Sequence, residues 1–372
     1  MITNITGKIT GIQYVPLLGE PLPGYDFAQF DVNSAATACV VLDGTYTFAL
    51  SKWVSPKRTR SYPYERVYNT LHYSKKITVI PVVKDEGMEG DRDYIRWDTV
   101  SLMSLLDVFV IFAYYDIAEV NQRNKKKITH QQFNSKFVKT KIKEIEQCHS
   151  SALHWNLNEL KTSFHRILGK AANAYRQIET QTGVQLHSHE GLEKFKDKIS
   201  RDVADFMQFS RHKSEQAQKR ESVTIQPKER LQSSTKATIT IRNYLGGAYF
   251  LTADEIKLVD KHVILIESKH SKNALLPSIG DIKDGLLKMI LFSNLTDVTV
   301  NGSTVKSTAM LVLTSPHIKN KICSKDCTKN CDTFFKYNKF SITQQKLIQT
   351  LFEEANRNNF IVEIRKSKWV VP

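Results

Sequence analysis

Apolar residues recur with two different periods along the chain, and the change of period marks its parts. Up to about residue 120, short apolar runs such as ATACVVLD and KKITVIPVVKDE alternate with Gly/Pro turns and predict strands. The window VSLMSLLDVFVIFAYYD, residues 100–116, predicts a buried core helix. Asp107 interrupts it, and it falls short of the roughly 20 residues a membrane-spanning helix needs. From about 133 to 221 the period is helical, with Leu153, Leu157, Leu160, Phe164 and Ile167 in one segment and Leu192, Phe195, Ile199, Val203 and Phe206 in another. After 233 the strands return in KATITIRN, AYFLTADEIKLV and HVILIESK. An apolar-periodic helix, the strand TAMLVLTSP and a closing helix and strand follow.

Polar breaks separate these stretches. NQRNKKKITHQQ, 121–132, reads as a linker, and the basic run ended by Pro227 reads as a second hinge. The expectation is a mixed α/β (α+β) chain in three parts: an N-terminal α/β domain over 1–128, a helical middle region over 129–232, and a third module over 233–372.

Charge changes this picture by implying a partner. The 372 residues carry 53 Lys+Arg against 38 Asp+Glu, a formal net charge of +15. Such a field attracts polyanions, nucleic acid ahead of membrane, although a generally basic protein has the same composition. MITNITGKIT shows no secretory signal and the cysteine count is odd, so a cytoplasmic location and reduced thiols are expected. There is no Walker A or dinucleotide glycine fingerprint, so a nucleotide cofactor has no support.

Candidate chemistry concentrates in DEIKLVDKHVILIESKHSK, residues 254–272. If Asp260-Lys261 form a two-residue hairpin loop, Val259 faces His262, Leu258 faces Val263, Ile256 faces Leu265 and Asp254 faces Glu267. Opposed carboxylates repel unless a cation lies between them. Lys269, on the same face as Glu267, supplies part of that charge, and a hard divalent ion such as Mg²⁺ would supply the rest. Carboxylates holding Mg²⁺ beside a lysine suit phosphodiester hydrolysis. The plainer alternative is a solvated strand end.

Asp254, twelve intervening residues and then Glu267-Ser268-Lys269 resemble the PD-(D/E)xK nuclease superfamily, in particular type II restriction endonucleases. The order hairpin, helix GDIKDGLLKMILF, strand TAMLVLTSP, late helix and strand is also similar, over 233–372. GDRDYIRWDTVSLMSLLDVFVIFAYY resembles stretches of predicted restriction enzymes more faintly. The resemblance implies a restriction-endonuclease-like core with a mixed sheet flanked by helices, and Mg²⁺-dependent cleavage of double-stranded DNA at a specific sequence by a homodimer. It makes Asp254 and Glu267 metal ligands together with the Ser268 backbone carbonyl, and Lys269 the catalytic lysine. Thr252-Ala253-Asp254 stands where the family motif has Pro-Asp, which leaves the choice among Asp254, Glu255 and Asp260 open. An auxiliary acid from an upstream helix is unassigned between Glu229 and Glu190. Two other functions stay open: a non-catalytic DNA-binding protein with a degenerate core, and a structure-specific repair or recombination nuclease.

Further residues suggest DNA contact. WVSPKRTRSYPYERVYNTLHYSKK, 53–76, interleaves Lys57, Arg58, Arg60 and Arg66 with Tyr62, Tyr64 and Tyr68. Cations can hold phosphates or guanine edges while tyrosines stack, and Pro56 and Pro63 argue against a regular helix there. A basic loop with its tyrosines folded inward is an equal alternative. Cys323, Cys327 and Cys331 with His317 would need a loop to share a metal, so free thiols are the default. His187 and His189 read as a solvated loop, and Asp85, Glu86, Glu89, Asp91, Asp93 and Asp98 as a solvated acidic turn.

Overall fold

The computed structural model describes residues 3–56, 63–199, 206–208, 237–243, 248–326 and 328–367. The chain is mixed α/β, as its periodicity implies, but it divides into two compact units rather than three parts. One unit joins Met1–Glu20 to Lys213–Pro372, and the other is Pro21–His212.

In chain order, β1 (Thr3–Ile9) belongs to the first unit, and the chain then enters the second. There β2 (Gly24–Asp26), β3 (Ala38–Asp43), β4 (Tyr46–Lys52), β5 (Lys76–Pro81) and β8 (Val108–Ala113) form one sheet in the order β2-β3-β4-β5-β8. Around it lie α1 (Pro63–Tyr68), the small hairpin β6 (Val83–Asp85) and β7 (Arg92–Tyr94), α2 (Trp97–Leu105), and the hairpin β9 (Tyr115–Val120) and β10 (Ile128–Phe133). The helices α3 (Ser135–Glu146), α4 (Ala152–Thr162), α5 (Phe164–Thr182) and α6 (His189–Ile199) complete it.

Val138, Ile142, Ile145, Ala152 and Trp155 from α3 and α4 share one buried cluster with Val41, Leu50, Ile77 and Ile111 of the sheet. The expected middle region is therefore the cover of this sheet, because its apolar stripe is buried there. NQRNKKKITHQQ is not a linker: it holds the turn and most of β10, paired to β9. The apolar window 100–116 also departs from expectation. Asp107, with φ of 54°, breaks it into the end of α2 and the strand VFVIFA of β8, every residue of which is buried. A short run of β-branched and aromatic residues buried on both faces fits a parallel strand as well as a helix, and a single left-handed residue decides between them.

Among the described residues the first unit has two sheets. β1 pairs in parallel with β11 (Ala237–Asn243) and antiparallel with β15 (Thr296–Val300), and β12 (Ala248–Ala253) and β16 (Ser303–Thr304) complete the order β12-β11-β1-β15-β16. The second sheet contains β13 (Glu255–Val259), β14 (His262–His270), β17 (Lys306–Ser315), β18 (Lys321–Cys323) and β19 (Ile361–Lys366) in the order β13-β14-β17-β19-β18. β14, β17 and β19 run parallel, with antiparallel strands at both edges. The helices α7 (Ile279–Ser293), α8 (Thr328–Asn338) and α9 (Ile342–Arg357) accompany it. The expected order hairpin, helix, strand, helix, strand is present in β13-β14, α7, β17, α9 and β19, with β15, β16, β18 and α8 interposed, which the sequence pattern does not place.

The first twenty residues are tied to this unit by Glu354 of α9, which is wholly buried. Its Oε1 accepts from the Tyr14 hydroxyl at 2.6 Å, and its Oε2 accepts from the N–H groups of Leu17 and Leu18, each at 3.0 Å. Glu354→Ala would leave three donors facing the lost carboxylate. It should lower the stability of this unit by about 2–4 kcal/mol. Thermal melts and amide-exchange protection over residues 3–20 check this, and unchanged protection there would disprove the tie.

Candidate active site

The hairpin forms in the expected register. Val259 pairs with His262, Leu258 with Val263 and Ile256 with Leu265, around Asp260 with φ of 53°. The ladder ends at Glu255 and Ile266, so Asp254 lies one step beyond it. It occupies the corner where the chain leaves β12 in one sheet and enters β13 in the other. Its N–H donates to the Ile266 carbonyl at 3.1 Å, and its Oδ2 accepts from the Ser268 N–H at 2.8 Å. A strand residue's N–H and C=O leave the same side, so the Ser268 carbonyl also points toward the Asp254 edge. Glu255 shares the opposite face with Ile266 and forms an ion pair with Arg365 at 3.9 Å. Asp260 sits exposed at the hairpin tip. Of the three acids left open by the sequence, Asp254 is the one placed beside Glu267.

Glu267 is 2% exposed on the face of β14 that α7 covers. Lys269 Nζ lies 3.0 Å from its Oε1, and Lys288 Nζ lies 2.7 Å from its Oε2. Lys269 also reaches Asp284 Oδ2 at 2.7 Å. Asp284 and Lys288 stand one turn apart on α7, so one helix face supplies an acid to Lys269 and a cation to Glu267. Gly285 lies between them because no side chain fits. A Cβ there would come within 2.8 Å of Leu311 Cδ1 and 3.2 Å of Lys269 Cε.

These contacts set the protonation states. Burial and the adjacent Glu267 charge raise the Asp254 carboxyl from 3.8 to about 7, against the opposing pull of Lys288, the Ser268 N–H and Lys269. Burial would raise Glu267 as well, but the charges and hydrogen bonds of Lys288 and Lys269 hold it below the usual carboxylate range. Both lysines are raised in turn: Glu267 and Asp284 outweigh burial at Lys269, and Glu267 and Asp254 outweigh it at Lys288. Both amines therefore remain charged at neutral pH.

Two carboxylates on adjoining segments, one of them made harder to ionise by burial and by the charge of the other, are a donor pair suited to a Mg²⁺ ion that keeps most of its waters. The described residues contain no group of three or more His, Cys, Asp or Glu side chains placed to hold a metal. Cys323 is a free thiol, Cys331 is buried, and Cys327 lies outside the described residues. Glu229 also lies outside them, and Glu190, in the other unit, is paired with Lys194.

The proposed DNA-contacting set separates. Lys57, Arg58, Arg60 and Tyr62 lie outside the described residues. Tyr64 is 6% exposed and Tyr68 is wholly buried, so neither ring is open to stack on a base. Arg66 turns inward to donate to the Lys52 carbonyl at 2.9 Å. Pro63 opens α1 rather than preventing it, since proline fits a first helical position, where no N–H is needed. The acidic turn is not simply solvated either. Asp85 and Asp93 are buried, Asp85 is paired with Arg92 and His187, and His189 is paired with Glu179.

No family model, curated protein or solved structure matches the chain.

A carboxyl whose folded pKa exceeds its unfolded one binds its proton more tightly in the folded state. Asp254 therefore lowers stability progressively as pH rises from 3.8 to about 7, and fully above that. Asp254→Asn should raise the melting temperature more at pH 8 than at pH 5, by roughly 2–4 °C for each kcal/mol relieved. Equal effects at the two pH values would show that nothing restrains the ionisation of Asp254.

Proposed function

We propose that the chain is a Mg²⁺-dependent endonuclease of type II restriction character, hydrolysing phosphodiester bonds of double-stranded DNA as a homodimer. The observation that carries this reading is the buried Glu267, flanked by two ammonium groups and set beside an Asp254 whose ionisation it opposes. Asp254, Glu267 and the Ser268 carbonyl would hold the ion. When bound, Mg²⁺ supplies a lowered pKa for an attacking water and charge stabilisation at the phosphate. Lys269, between Glu267 and Asp284, stays protonated. Its part is a fixed positive charge toward phosphate oxygens and not the removal of a proton from water. The net charge of +15 supports a polyanionic substrate. Two copies of such a site are what a cut through both strands of a palindrome asks for.

A second reading has an observation of its own. Lys269 and Lys288 already neutralise both oxygens of Glu267, as they would in a nuclease-like scaffold that binds DNA without cutting it. Plasmid incubated with and without Mg²⁺ separates the readings. Discrete bands support the restriction enzyme, intact plasmid that the protein still binds supports the scaffold, and cleavage of branched DNA alone supports a structure-specific nuclease. Glu267→Gln should abolish cutting while duplex binding persists, because phosphate contacts elsewhere supply the affinity. Wild-type cutting by this variant would end the assignment.

A further inference from the structure

The two lysines on Glu267 are not equivalent. Lys269 is anchored twice, to Glu267 Oε1 at 3.0 Å and to Asp284 Oδ2 at 2.7 Å. Lys288 has Glu267 Oε2, at 2.7 Å, as its one ion-pair partner among the described residues. Its side chain is 19% exposed, against 2% for the carboxylate it covers, and its four-carbon stem is flexible. We propose that Lys288 is an internal counter-ion that competes with a divalent cation for Glu267 Oε2, and that DNA favours the exchange by offering a phosphate to the released ammonium.

This exchange rests on the metal-binding reading above and adds a condition to it. A carboxylate this buried needs positive partners; Lys269 holds Oε1, and Lys288 holds Oε2 until a metal ion does. A divalent ion between Asp254 and Glu267 would meet the Lys288 charge at close range. Moving that ammonium away removes the repulsion, but it leaves a cation without a counter-ion. A phosphodiester oxygen can supply one, and Lys288, one turn beyond Asp284 on α7, is the cation free to take it. Metal and duplex then raise each other's affinity by the same factor, as linkage requires.

The test is calorimetric titration of Mn²⁺ into the full chain, with and without a mixed-sequence duplex. Without DNA, Lys288→Met and Lys288→Gln should bind Mn²⁺ at least about tenfold more tightly than wild type, the scale of one charge-assisted hydrogen bond removed from competition. Lys288→Arg, which keeps the charge, should not. Adding duplex should tighten Mn²⁺ binding by wild type and leave Lys288→Met nearly unchanged. Thermal melts identify which neutral variant is folded, and either one suffices. If wild type binds Mn²⁺ and the folded neutral variants bind it no more tightly, the exchange is wrong while the metal site stands. If no form binds Mn²⁺ with or without duplex, the metal-binding reading falls and takes the exchange with it.

Discussion

The first unit holds a carboxylate almost wholly withdrawn from water, that of Glu267 at 2% exposure. An isolated ionised side chain in a protein interior costs several kcal/mol, and only close opposite charge offsets it. Glu267 meets that condition from two directions. Lys269 comes from its own strand, two residues on, and Lys288 comes from the helix packed over the sheet. This fixes more than one side chain. The helix must approach closely enough for Lys288 to reach, which Gly285 permits, and it must present Asp284 to Lys269 in the same turn. The polar row then sits within an otherwise apolar contact that includes Leu265, Leu286 and Leu311, all wholly buried.

The same unit depends on residues far away in sequence. β1 lies between β11 and β15, so the sheet from which the chain descends to Asp254 is completed by the first residues of the protein. Glu354 holds the following segment against α9 by two N–H donors and a hydroxyl. Asp254 is thus placed by a corner between two sheets, not by a strand ladder, and its carboxylate is oriented by the Ser268 N–H. A bend fixed from both sides can hold an acid against its charged neighbour. A free strand end would let it turn to solvent.

The hairpin register was legible because a two-residue loop determines every later pair, and because apolar alternation puts Leu265 and Glu267 on one face. Asp284 and Lys288 were not assigned, although their signal is present in IGDIKDGLLKMILFS: two opposite charges one turn apart inside an apolar helix, with a glycine between them. Charged residues at that spacing usually form a solvent-facing pair, and only the covered strand shows that these point inward. The domain organisation was misleading for a different reason. Sequence order suggested that the first twenty residues belong with the next hundred, whereas β1 pairs in parallel with a strand more than two hundred residues later. Local patterns carry no information about such pairing. Tyr64 and Arg66 show the converse limit, since interleaved aromatic and basic residues look alike whether they face DNA or the fold.

The composition of the charged cluster is unbalanced in a way that bears on the proposed function. A network that only stabilises is best when balanced, and replacing it with apolar side chains of similar volume is often neutral or favourable. Here three carboxyl groups, Asp254, Glu267 and Asp284, face two ammonium groups, Lys269 and Lys288. The excess falls on Asp254, the one acid that contacts neither lysine directly and whose ionisation burial and Glu267 oppose. Folding alone gives no reason to keep an acid in that position, because an asparagine would accept the same Ser268 hydrogen bond without the charge. On the metal-binding proposal a cation brought in from solution would give one, since it would convert the surplus from a cost into a binding site, and the cost would persist whenever the cation was absent.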